Sequence, residues 1–206
     1  MKTKQFIKNI AINTLLGLSF GHIVKGDVFP NISTLTAVIF RNYRDLQIID
    51  THNDHPNVTT AFLPNLNTIA SRCLLDSSIK KIFLNIQHNY CLMPAAFADS
   101  QNLNLVDLGG TLNIPNNCFE NCEQLEIVWG QCVRTIENNA FNGCPKIELV
   151  YLPNVQVIAA TAFINANITR IIVPQILVET VKHQNPKAKV LATEEYGYNI
   201  LMSVDL

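Results

Sequence analysis

The feature that most constrains this chain is a period. "IPNNCFENCEQLEIVW" starts at Ile114, "IENNAFNGCPKIELVY" at Ile136 and "IAATAFINANITRIIV" at Ile158, a spacing of 22 residues each time. Upstream, "IASRCLLDSSIKKIFL" at Ile69 and "LMPAAFADSQNLNLVD" at Leu92 repeat the same layout. Leu74, Phe97, Phe119, Phe141 and Phe163 form one column, spaced 23, 22, 22 and 22. The residue before each is small: Cys73, Ala96, Cys118, Ala140 and Ala162. A sixth, partial unit, "TTAFLPNLNTIA" at Thr59, matches "ELVYLPNVQVIA" at Glu148.

Each unit also carries an apolar triplet at i, i+3 and i+5. The triplets are Ile79, Ile82 and Leu84; Leu103, Val106 and Leu108; Ile147, Val150 and Leu152; and Ile168, Ile171 and Val173. The unit at Leu125 and Val128 has Gly130 in its third slot. One such unit is too short to bury its own apolar stripe, but stacked units bury a continuous column. The period therefore predicts a solenoid, each coil having a short strand such as "LEIVWG", a turn and a return. Asn in "NNAF" is expected to start the return by capping a short helical turn. The aromatic fills the core and the small residue beside it permits close stacking.

"IENNAFNGCPKIELVYLP" resembles the BspA-type leucine-rich repeat, whose unit reads roughly I-x-x-x-A-F-x-x-C-x-x-L-x-x-I-x-L-P. "IAATAFINANITRIIVP" and "IASRCLLDSSIKKIFL" resemble that family's shortened unit. The resemblance covers about residues 59–174. "IIVPQILVETVKHQNPKAKVLATEEY" is similar to a capping segment that follows such repeats, a Val-Pro leading into a helix and a last strand. The expected fold is an α/β repeat, a short leucine-rich-repeat solenoid with a parallel strand ladder and a C-terminal helix-strand cap. The expected organisation is an N-terminal arm with degenerate coils over 1–58, repeats over 59–174 and the cap over 175–206. "LTAVIF" and "LQIID" are candidate strands of those degenerate coils. The resemblance implies a surface-exposed binding protein or a part of a larger surface or virion assembly, and no enzyme.

Strand side chains alternate between the two faces of a sheet. The residue between the second and third triplet positions should therefore point outward. That column reads Phe62, Phe83, Asp107, Trp129, Tyr151 and Ile172, and the column two residues earlier reads Lys81, Leu105, Ile127, Leu149 and Arg170. The candidate exposed binding face is Phe62, Phe83, Leu105, Ile127, Trp129, Leu149, Tyr151 and Ile172. Contiguous aromatic and aliphatic side chains on a sheet surface mark an interface. A protein or glycan ligand, another copy of the chain, another assembly subunit, or residues 1–58 would each suit it.

Reactive-looking residues have plainer readings. Cys118, Cys122 and Cys132 fall within fifteen residues, but Cys118-x3-Cys122 is not the Cys-x2-Cys spacing of zinc sites, and no second pair follows. Cys122 and Cys144 recur three residues after Phe119 and Phe141, as packing pieces would, and buried cysteine behaves as a small hydrophobe. A disulfide ranks below that reading, and metal or redox chemistry lower still. His52, Asp54 and His55 in "THNDHP" have a metal-ligand look, but Asn, Asp and Pro also make a polar turn. There is no phosphate-binding glycine loop and no nucleophile elbow, so neither a catalytic residue, a metal site nor a cofactor is expected. With 48% hydrophobic and 15% charged residues, the chain has the composition of a packed domain. A net charge of -1 gives no general pull toward nucleic acid. No stretch reaches the roughly 18 apolar residues of a membrane span.

The first residues support two readings. "MKTKQFIKN" followed by "IAINTLLGLSFG" is either a secretory leader, with Ser19-Phe20-Gly21 a poor cleavage site, or an amphipathic arm that docks on a partner. The first reading goes with a secreted or cell-surface adhesion module. The second goes with a structural component of a particle such as a bacteriophage virion.

Overall fold

A computed structural model describes residues 37–39, 45–46, 59–63, 67–75, 77–87 and 89–195. The expectations for residues 1–21 and for His52, Asp54 and His55 lie outside the described residues. Within them the chain is a parallel-strand solenoid of about six coils. Strands are numbered in chain order. The long side of the coils is an eight-stranded parallel sheet of β1 (Ala37–Ile39), β3 (Thr60–Leu63), β5 (Lys81–Leu84), β7 (Leu105–Asp107), β9 (Ile127–Trp129), β11 (Ile147–Tyr151), β13 (Ile168–Val173) and β14 (Lys189–Ala192). A second side carries two-residue strands in two short ladders. These are β2 (Asp45–Leu46), β4 (Thr68–Ile69) and β6 (Cys91–Leu92), then β8 (Asn113–Ile114), β10 (Thr135–Ile136) and β12 (Val157–Ile158). β1 falls within "LTAVIF" and pairs with β3, so a strand of an upstream coil is present. The helix Val178–Gln184 and β14 close the described stack, with Val178, Val181 and Val190 buried against the coils.

The triplets lie inside, as their period requires. Ile82, Val106, Val128, Val150 and Ile171 have no exposed surface, and the flanking members of each triplet are buried too. The aromatic column forms a stack through the core. Phe97, Phe119, Phe141 and Phe163 follow one another with ring centroids 5.2–5.3 Å apart and nearly parallel planes. That separation matches one coil step, so the rings repeat with the strands.

The return side differs from the expected short helical turns. It is a run of turns whose backbone alternates in direction. The positions two before and two after the aromatic take positive φ: Arg72, Ala95 and Asp99, Asn117 and Asn121, Asn139 and Gly143, and Asn165. Asn139 is thus a left-handed residue and not a helix cap. Asparagine and aspartate tolerate this region better than other non-glycine residues, because their short side chains bond locally. Alternation turns every second N–H toward the next coil. Ala95, Phe97 and Asp99 donate to the carbonyls of Asn116, Cys118 and Glu120 at 2.8–2.9 Å, while Ala96 and Ala98 bond back within their own coil.

The cysteines complete this side. Cys122 Sγ donates to the Phe97 carbonyl and Cys144 Sγ to the Phe119 carbonyl, both at 3.0 Å. All six cysteines are free; Cys73, Cys118, Cys122 and Cys144 are buried, Cys132 is half-buried and Cys91 is exposed. Burial pushes the Cys144 thiol up to about 12, and raises those of Cys73, Cys118 and Cys122 as well. A buried thiol with so little thiolate is a poor nucleophile.

Two outcomes follow from this packing. Phe141→Ala should destabilise the fold by about 3–5 kcal/mol, because it leaves a cavity between two stacked rings. Denaturant unfolding measures this; a loss below about 1 kcal/mol would contradict the core placement. In native protein an aromatic disulfide reagent should label Cys91 first and Cys132 more slowly. The four buried thiols should react only on unfolding, and prompt labelling of Cys122 or Cys144 would contradict the carbonyl ladder.

Candidate functional site

The outward columns stand in register. Ile39 pairs with Phe62, Phe62 with Phe83, Phe83 with Asp107, Asp107 with Trp129, Trp129 with Tyr151, and Tyr151 with Ile172. Beside them Lys81, Leu105, Ile127, Leu149 and Arg170 form the parallel column, which Lys189 extends. Parallel pairing brings equivalent residues of adjacent coils to about 4.8 Å, so the eight candidate side chains share one surface.

That surface is less open than alternation alone suggests. Ile172, Leu105, Leu149 and Tyr151 expose only 2%, 3%, 5% and 7% of their surface, so these four are corrected from exposed to buried. Phe62, Phe83, Ile127 and Trp129 are half-buried, and none of the eight is fully exposed. Part of the cause is lateral packing. Leu149, Tyr151 and Ile172 form a second small core outside the main one, with Trp129 and Leu191 packed against it. The rings pair face to face, Trp129 with Tyr151 at 4.1 Å and Phe62 with Phe83 at 5.0 Å.

Asp107 interrupts this column between the two aromatic pairs. It is the only acid in either outward column, and repeat arithmetic counted it there without assigning it a role. Its Oδ1 accepts the Gly109 N–H at 3.0 Å, which holds the turn after β7. Gly109 has φ +50, and a Cβ there would meet the Leu84 carbonyl oxygen at 2.5 Å, so the turn is specific to glycine. Burial pushes the Asp107 carboxyl above its usual value, and the Gly109 N–H offsets this only in part.

The opposite, return side is polar but internally occupied. Asn117 and Asn142 donate to the two carboxylate oxygens of Glu120 at 2.8 and 3.0 Å. Asn121 donates to Asp99 at 3.0 Å, and Arg72 pairs with the same carboxylate at 2.8 Å. Asn113 and the Asn116 backbone N–H donate to Glu137. Most of these bonds tie one coil to the next. Among the described residues no group of three or more His, Cys, Asp or Glu side chains is placed to hold a metal. Among the same residues no helix is long and apolar enough to cross a membrane.

The raised Asp107 pKa carries a sign. An acid disfavoured in its charged form adds stability below its unfolded pKa and loses it as pH rises through the folded value. Asp107→Asn keeps an oxygen for the Gly109 N–H and removes the charge. The variant should melt above the unsubstituted protein at pH 7, with the gap closing as pH falls toward about 4. Thermal melts across that range test it; a variant that melts lower at pH 7 would mean that the charged bond to Gly109 outweighs burial.

The comparison with known families agrees with this geometry. The model of the BspA type leucine rich repeat region matches residues 67–184 in six copies, more than half of the chain. No curated protein and no solved structure matches the chain. The matched span takes in the coils from β4 to the helix Val178–Gln184, where the aromatic stack, small-residue column and buried triplets recur. A repeat matched over that length, and folded as the repeat demands, makes this chain a member of the BspA-type leucine-rich repeat family.

Proposed function

We propose that the chain is a non-catalytic binding or adhesion module that recognises a protein or glycan through its outer strand face. Solenoids of this family serve as interaction scaffolds, and their stacked strands present an extended surface. One observation carries the reading: a contiguous aromatic and aliphatic ladder on the sheet face opposite the main core, with Trp129 and Phe83 half-buried. Large aromatic side chains are favoured anchors at such interfaces. Ligand contact would centre on Phe62, Phe83, Ile127 and Trp129, with Leu105, Leu149, Tyr151 and Ile172 as the packed base.

A second reading takes the half-buried side chains of that face, Phe62, Phe83, Ile127 and Trp129, as a contact between subunits. The chain would then be a structural component of a larger assembly, such as a virion, docked through the N-terminal arm. Copurification in a large particle with Met1 retained would favour this reading over a secreted module.

Protein and glycan arrays probed with the full chain and with Trp129→Ala test the first reading. Ligands of the unsubstituted protein should bind the variant at least about tenfold more weakly, as loss of an aromatic anchor implies. Circular dichroism of the variant should show an unchanged fold. Undiminished binding by the folded variant would remove the face from the role.

A further inference from the structure

Inside the stack each return turn sends alternate N–H groups forward to carbonyls of the next coil. Phe97 and Asp99 donate to Cys118 and Glu120, and Phe119 and Asn121 donate to Ala140 and Asn142, at 2.8–2.9 Å. In the last return turn the same positions are Phe163 and Asn165, and Asn165 keeps the positive φ of Asp99 and Asn121. The N–H groups of Phe163 and Asn165 have no acceptor among the described residues. The layer that follows them is the helix Val178–Gln184, and a helix uses its carbonyls on its own N–H groups.

This change of layer leaves a cavity of about 620 Å³. Phe163, Ile164 and Asn165 line it from the last coil, and Gln184 and Lys187 line it from the cap. The forward direction seen in the inner coils points across it. Ile164 is exposed, and no acidic residue lines the cavity. Gln184 Oε1 is closed to water and has no hydrogen-bond partner. Unpaired backbone donors and an unpaired side-chain acceptor around one cavity are costly, and a folded protein holds few of them.

We propose that this cavity receives a short loop of a partner protein, whose backbone takes the position of a return turn. The inner coils display the fit. The turn at residues 138–143, "NNAFNG", offers the carbonyls of Ala140 and Asn142, two residues apart, to the N–H groups of Phe119 and Asn121. A loop of that shape would offer the same pair to Phe163 and Asn165. It also carries N–H groups, and one can bond Gln184 Oε1 once that amide turns about its last torsion. An inorganic anion would suit the two N–H groups and Lys187, but it has no donor for the glutamine oxygen. Main-chain bonds of this kind set affinity, as when a strand is added to a sheet edge, while Ile164 gives an apolar contact beside them. The site is separate from the outer strand face and does not depend on it.

The isotope-labelled full chain is titrated with acetyl-Asn-Asn-Ala-Phe-Asn-Gly-amide and followed by nuclear magnetic resonance. The amide signals of Phe163 and Asn165 should move saturably, with a dissociation constant on the order of 1 mM, the weak end of specific association. Those of Phe119 and Asn121, paired within the stack, should stay in place. Before peptide is added, the Phe163 and Asn165 amides should exchange hydrogen at least about 100-fold faster than that of Phe119, whose exchange needs the stack to open. Ile164→Glu, checked for folding by its melt, brings a competing acceptor to the same N–H groups and should weaken the response at least about tenfold. No saturable movement at Phe163 and Asn165, or an equal one in Ile164→Glu, would overturn the site. Protection of both amides in the free chain as strong as at Phe119 would overturn it too, since the groups would already be paired. A response to sodium phosphate or acetate that matches the peptide's and is lost in Lys187→Ala would reject the polypeptide in favour of an anion.

Discussion

A single coil of this chain satisfies neither its apolar side chains nor its backbone. The carbonyl of Cys118 takes the N–H of Phe97, that of Ala140 takes Phe119, and that of Ala162 takes Phe141. The same residues carry the rings that stack at 5.2–5.3 Å. Backbone and core are thus locked to one step, the strand spacing of about 4.8 Å, opened slightly at the rings. Buried N–H groups that lose their partners are costly, so one coil cannot slide without breaking hydrogen bonds and the aromatic stack together. The small residue before each ring follows from that step. Ala96, Cys118, Ala140 and Ala162 have no exposed surface, and a larger side chain there would have to displace the next coil.

The inter-coil step also explains why the chain is rich in asparagine and cysteine where it looks chemically interesting. Alternating backbone handedness on the return side puts one or two positions of each described coil at positive φ, and asparagine fills several of them. Its amide then reaches the neighbouring coil, as Asn121 does to Asp99 and Asn165 to Asn142. Cysteine at the third position past the ring provides a weak donor small enough for the core. Its reactivity is suppressed by the burial that makes it useful.

Much of this could be read from the columns. The period placed Phe97, Phe119 and Phe141 inside, put Val128 and Val150 on the core face of their strands, and paired Trp129 with Tyr151. Such inferences need only translation by one coil and alternation along a strand. Two things escaped them. The left-handed backbone at Asn117 and Asn139 is set by where N–H groups must point, and asparagine signals a cap as readily as a positive φ. The closure of Tyr151 and Ile172 depends on what lies over a side chain. Alternation states only which way the side chain points, so Leu105 and Leu149 were legible as outward but not as buried.

A repeat protein displays its specialised positions as departures from its own column. On the core side the departure is Gly130, where a Cβ would collide with Leu152 and Val133, so packing accounts for it. On the outer side the departure is Asp107, whose carboxylate accepts the Gly109 N–H and so holds the turn that brings Gly109 against the Leu84 carbonyl. An aromatic residue in that rung would leave the N–H without this acceptor, so the break between the Phe62–Phe83 and Trp129–Tyr151 pairs follows from the turn.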